Sequence, residues 1–83
     1  MEKYMKALSR IEQTGIFMTK EPDPLDNFDI YKMVDNRIAG LIEVAIGDLD
    51  ITEEEFSMLQ AHGATIVDKF REVWMNGILE EKQ

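Results

Sequence analysis

One long amphipathic segment, residues 51–81, constrains the fold of this chain more than any other feature. It opens with Thr52 and Glu55, which have the spacing of a capping box. Apolar residues and glycines then recur at alternating steps of three and four, the spacing of one helix face. The positions are Phe56, Leu59, Gly63, Ile66, Phe70, Val73 and Gly77. The pattern predicts a helix over residues 52–80, about 43 Å long at 1.5 Å per residue.

A second amphipathic segment predicts a helix over residues 27–46. Its apolar positions, Tyr31, Val34, Ile38, Leu41 and Ala45, repeat the same spacing. A competing interpretation makes residues 41–46 a β-strand between Gly40 and Gly47. The helix is favoured because the spacing begins ten residues earlier and an isolated strand has no partner. Two such helices joined by a short connector predict an antiparallel hairpin.

The N-terminal part predicts a first helix over residues 2–13, with Tyr4, Leu8 and Ile11 on its apolar face. Gly15 is expected to end it, since glycine readily adopts the left-handed conformation found at helix C-termini. Residues 16–18 are then a packed connector or a brief strand. Residues 15–26 form the predicted linker, whose Pro22 and Pro24 disfavour a continuous helix.

These elements predict a single all-α domain over residues 1–83, in which the first helix packs across the hairpin. Gly63 and Gly77 lie on the apolar face of the long helix, so they are expected to admit a neighbouring helix closely. The helix predicted over residues 52–80 extends beyond the end of the helix predicted over residues 27–46, and a chain of 83 residues has a small core. We therefore expect the three-helix unit to be completed as a homodimeric helical bundle.

The amino-acid composition excludes several kinds of structural and binding site. Cysteine is absent, which excludes disulfides and thiolate metal sites. The chain lacks a long apolar run and its first residues do not resemble a signal peptide, so we expect a cytoplasmic protein with no membrane association. The net charge is −8, and residues 38–68 contain seven acidic residues but no lysine or arginine. Direct nucleic-acid binding is therefore not expected.

No arrangement of residues indicates catalysis. A calcium-binding EF-hand loop starting at Asp48 requires glycine and glutamate where the chain has Glu53 and Leu59. His62, the single histidine, has no partner at a recognisable spacing. Glu43, Asp68 and Glu72 point away from the apolar faces. We expect no enzyme activity, cofactor or metal site, with a metal-dependent nucleotide hydrolase as a distant alternative.

The favoured function is a small acidic protein–protein interaction module, such as an inhibitor, adaptor or regulator, that binds a protein partner through the long helix. The candidate contact residues are Met58, Phe70, Trp74, Met75 and Ile78. Methionine adapts to different partners, and aromatic residues dominate interface energetics. The alternative for the aromatic residues is that they form the core of the three-helix unit.

A second interpretation is an acidic mimic of nucleic acid that occupies a DNA- or RNA-handling protein. The candidate residues are Asp48, Asp50, Glu53, Glu54 and Glu55. Small acidic inhibitors from phages and plasmids have a similar size and charge. The competing explanation is a solvated acidic face that keeps a small protein soluble.

Overall fold

The computed structural model describes residues 1–20 and 27–76, which form three α-helices: α1 (Glu2–Thr19), α2 (Asn27–Ile46) and α3 (Glu53–Asn76). No strand occurs in these two ranges, so the helical interpretation of residues 41–46 is confirmed. Pro22, Pro24, Gly77 and the predicted end of the long helix near residue 80 lie outside the described residues.

The first helix is longer than predicted. It continues to Thr19, so the expected helix end at Gly15 is wrong, and residues 16–18 are helical rather than a connector or strand. Gly15 is buried in the helix interior. A Cβ atom at this position would lie 2.6 Å from Cζ of Phe70 and 3.0 Å from a methyl carbon of Val34. Glycine is present here because the other two helices approach the α1 backbone closely.

The directions of the three helices follow from contacts of α1 with the connector and with α3. Near its start, α1 lies beside the 47–52 connector, where the Tyr4 hydroxyl donates to Asp48 Oδ2 at 2.6 Å. Farther along, Lys69 Nζ of α3 lies 2.8 Å from Glu12 Oε2 of α1. This order of contacts makes α1 parallel to α3 and antiparallel to α2. The first helix therefore runs alongside the hairpin, not across it.

The core lies between the three helices, and α2 and α3 pack closely against each other. All five buried residues of α3 lie on the apolar face predicted from the sequence: Leu59, Gly63, Ile66, Phe70 and Val73. The close approach expected at Gly63 is confirmed, because a Cβ atom there would lie 2.9 Å from Ile38 Cγ2. The packing at Gly77 is not described.

The capping box that opens α3 is formed as predicted. The Glu55 amide donates to Thr52 Oγ1 at 3.0 Å, and the Thr52 amide donates to Glu55 Oε1 at 3.1 Å. These bonds satisfy two backbone donors that a helix N-terminus otherwise leaves unpaired. They also fix where the connector ends and α3 begins.

None of the described helices is long and apolar enough to cross a membrane.

Candidate functional site

Three aromatic side chains from two helices meet at the surface and form what we call the aromatic cluster: Phe28, Tyr31 and Trp74. The Tyr31 and Trp74 rings are stacked, with centroids 5.4 Å apart and planes inclined by 11°. Phe28 lies against the same tryptophan at 4.9 Å with its plane tilted by 56°. These separations are typical of favourable aromatic pairs.

Helix geometry explains how the cluster forms. Phe28 and Tyr31 are three residues apart, which places them on neighbouring positions of the first two turns of α2. Trp74 follows the buried Val73, so it lies on the flank of the α3 apolar face. Because the hairpin is antiparallel, the start of α2 faces the end of α3. We call this the aromatic end of the bundle.

Among the described residues, the aromatic cluster is only partly buried. Trp74 remains 42% exposed, and Phe28 is also exposed at its outer side. Met75, the next residue of α3, is 71% exposed. The aromatic end therefore presents aromatic rings and a flexible thioether to solvent, side chains that are enriched where proteins bind one another.

The structure separates the residues predicted for the hydrophobic contact. Phe70 is 1% exposed, so its assignment to a surface contact is wrong, because its ring is enclosed where Gly15 brings α1 close to α3. Met58 is exposed but lies about 24 Å from Trp74 along the helix axis, at 1.5 Å per residue. Ile78 lies outside the described residues. Trp74 and Met75 are the predicted contact residues that share the aromatic end.

Sequence reasoning missed Phe28 and Tyr31. A signal was present, because both residues lie in the first two turns of α2 and an antiparallel hairpin places that segment opposite Trp74. The sequence pattern assigns Tyr31 only to the apolar face of α2 and gives Phe28 no role. The pairing register of the two helices was needed to connect them with the tryptophan.

At the opposite end of the hairpin, Asp48 has a structural role. Its carboxylate accepts the Tyr4 hydroxyl and the backbone amide of Asp50, at 2.6 Å and 2.9 Å, and lies 3.7 Å from Lys3 Nζ. The hydrogen bond from Tyr4, followed by that from the Asp50 amide, lowers the pKa of Asp48 below its usual range. The same contact raises the pKa of Tyr4. The carboxylate ties α1 to the connector.

The five acidic residues proposed as a nucleic-acid mimic therefore do not form one free surface. Asp48 holds Tyr4, and Glu55 is engaged by the capping box. Asp50, Glu53 and Glu54 are exposed. The contiguous acidic surface at this end comprises three freely exposed carboxylates, fewer than the sequence suggests.

Within the described ranges, no group of three or more histidine, aspartate or glutamate residues is arranged to hold a metal ion. His62 lies exposed on α3.

Comparisons of the chain with known protein families, with curated proteins and with solved structures find no match.

Proposed function

We propose that this protein is a protein–protein interaction module, acting as an inhibitor, adaptor or regulator, and that it binds its partner through the aromatic end. The observation that carries the proposal is the partly exposed aromatic cluster, with Trp74 stacked on Tyr31 and Met75 exposed beside it. The long helix α3 supplies the central residue of this surface, and α2 supplies the other two rings.

The physical argument is that a cluster of this kind gives binding energy at a small entropic cost. Tryptophan and tyrosine bury a large apolar area on association and have few rotatable bonds. Stacking within the aromatic cluster already restricts the rings in the unbound protein, so less conformational freedom is lost on binding. Met75 adds an adaptable contact at the rim.

The homodimer expected from the sequence is a specific form of this proposal, in which the partner is a second copy of the chain. It is expected because the long helix extends beyond its partner and a chain of this length has a small core. Phe28 and Tyr31 pack against Trp74, which remains 42% exposed. Light scattering over a range of protein concentrations distinguishes a dimer from a monomer that binds a different protein.

The test is a pull-down of tagged protein from host lysate, washed at about 0.1 M and then about 0.5 M salt. Trp74→Ala should remove the specific partner. Val44→Ala is the matched control, because Val44 is a 63% exposed apolar residue near the opposite end of α2. A partner retained by Trp74→Ala, or lost equally from both variants, would contradict binding through the aromatic end.

The acidic-mimic alternative is supported by Asp50, Glu53 and Glu54, which are exposed within two helical turns of one another. It predicts a partner that normally binds nucleic acid and that is released at the higher salt concentration, where charges are screened within a few ångströms. Replacing the three acids with their amides should release such a partner, whereas Trp74→Ala should retain it. The hydrolase alternative has no support among the described residues.

A further inference from the structure

A groove of about 430 Å³ opens beside the 47–52 connector, between the last turn of α2 and the first turns of α3. We call this the hairpin groove. Its lining residues are Ala45, Ile46, Asp48, Ile51, Thr52, Glu53, Phe56 and Ser57. This volume lies in the range of about 300–1,000 Å³ that is typical of ligand-binding clefts.

Half of the residues that line the hairpin groove are apolar: Ala45, Ile46, Ile51 and Phe56. Phe56 and Ile51 are half-buried and pack against the core, so they form a fixed surface. Ile46 extends the apolar wall and is 63% exposed. Leu49, in the connector, projects almost completely into solvent next to this wall. Apolar area that a partner could cover is therefore present at this end as well as at the aromatic end.

The charged groups around the hairpin groove have predominantly one sign. Glu53 lines it, and Asp50 and Glu54 are exposed beside it. No ion pair among residues 1–20 and 27–76 involves these three acids. Lys3, the nearby cation of α1, is paired with Asp48. The N-terminus of α3 contributes a partial positive charge of about half a unit, which its three glutamates outweigh.

We propose that the hairpin groove binds a short, positively charged segment of a partner protein, with one or two apolar side chains in the groove and lysine or arginine residues facing Glu53 and its acidic neighbours. Charge complementarity selects the basic residues and speeds their approach. The apolar walls supply the contact that a purely electrostatic mimic of nucleic acid lacks.

This surface is separate from the one in the proposed function. Tyr31 of the aromatic cluster and Ile46 of the hairpin groove are about 22 Å apart along α2, at 1.5 Å per residue. The two contacts therefore use different residues and can be removed independently. A failed test of the hairpin groove leaves the aromatic end unaffected.

The test measures fluorescence anisotropy of a labelled amphipathic peptide of about 14 leucine and lysine residues, enough for nearly four helical turns. Two matched peptides accompany it: one has serine in place of leucine, and the other has glutamate in place of lysine. The leucine–lysine peptide should bind the protein. Both matched peptides should bind at least about tenfold more weakly, because each lacks one of the two required contacts.

Two substitutions locate the apolar contact. Ile46→Ser should weaken peptide binding about fivefold. Val44→Ser is the control, since Val44 has the same 63% exposure on the same helix but does not line the groove. Ser57→Arg, at an exposed lining position, should block the groove with both bulk and positive charge. Circular dichroism shows whether each variant remains folded.

Glu53→Gln should weaken binding about two- to threefold at low salt, and Glu43→Gln, an exposed acid of α2 outside the groove, should not. The proposal is overturned by any of three results: no binding of the leucine–lysine peptide at millimolar concentration, equal binding of the serine peptide, or equal loss in Ile46→Ser and Val44→Ser. Equal binding of the serine peptide would show nonspecific attraction to an acidic surface instead.

Discussion

The two ends of the bundle are held by different interactions. At the aromatic end, the buried Phe70 ring lies against Gly15 of α1, and the rings of the aromatic cluster pack between α2 and α3. At the hairpin end, by contrast, the Tyr4–Asp48 hydrogen bond and the capping box fix the connector. The first set of contacts depends on shape, and the second depends on ionisation.

This difference extends to what each end can bind. The aromatic end offers stacked rings and Met75, so a partner there should be held mainly by apolar contact and be insensitive to salt. The hairpin groove combines apolar walls with exposed carboxylates, so its partner should be basic and salt-sensitive. The two proposals together would give the protein two separated surfaces of different chemistry, as an adaptor requires.

The largest expected effect comes from removing the buried ring at the aromatic end. Phe70→Ala should lower the free energy of unfolding by about 3–5 kcal/mol, the usual cost of truncating a buried phenylalanine. Trp74→Ala should cost about 1–2 kcal/mol, because Trp74 is already 42% exposed. Urea denaturation of both variants measures the contrast.

A domain this small could unfold completely on losing Phe70. In that case Phe70→Leu is measured instead of Phe70→Ala. Phe70→Leu should lower the free energy of unfolding by about 1 kcal/mol, since leucine retains most of the side-chain volume. Equal destabilisation by Phe70→Ala and Trp74→Ala would contradict the division between a core ring and a surface ring.

Local patterns in the sequence were sufficient to predict three helices and close packing of α2 against α3. The capping box of α3 depends on residues three apart, and its apolar face on steps of three and four, so both could be read without knowing the tertiary structure. Gly15 could not be interpreted in this way. Glycine is compatible with a helix end and with a close helix contact, and Phe70 and Val34, distant in sequence, decide between them.

The same limit applies to the candidate site. Trp74 was identifiable because tryptophan is often an interface residue, but its stacking on Tyr31 depends on the pairing register of two helices. Asp48 belonged to an acidic run in the sequence, and only the fold shows that Tyr4, 44 positions earlier, is its hydrogen-bond partner. Side-chain roles set by distant residues were therefore the part that the sequence could not provide.

Substitution of two helical glycines by alanine should change the free energy of unfolding in opposite directions, by smaller amounts. Gly15→Ala should lower the free energy of unfolding by about 1–2 kcal/mol, because overpacking against Phe70 outweighs the better helix propensity of alanine. Gly40→Ala is the matched control: nothing lies within 4 Å of the added methyl group, so it should raise stability by about 0.5–1 kcal/mol. If both variants were stabilised alike, the close contact at Gly15 would be refuted.

The smallest effect, and the one that distinguishes the two ends most directly, is a dependence on pH. Tyr4→Phe removes the hydrogen bond to Asp48 and should destabilise the protein modestly at neutral pH. The pKa of Asp48 is lowered from 3.8, so its contribution is complete above that pH and is lost as pH falls through the lowered value. The pKa of Tyr4 is raised from 10.0, so its contribution is complete below that pH and is lost as pH rises through the raised value.

The stability difference between wild type and Tyr4→Phe should therefore be greatest between about pH 4 and pH 10 and shrink on both sides. Tyr31→Phe provides the comparison at the aromatic end, where the stacked ring is retained and no hydrogen bond to a carboxylate of the described residues is removed. Its effect on stability should not follow this pH profile. Urea denaturation at acidic, neutral and alkaline pH measures both variants. A constant difference for Tyr4→Phe across that range would mean that the hairpin end is held by packing as well, and the contrast between the two ends would disappear.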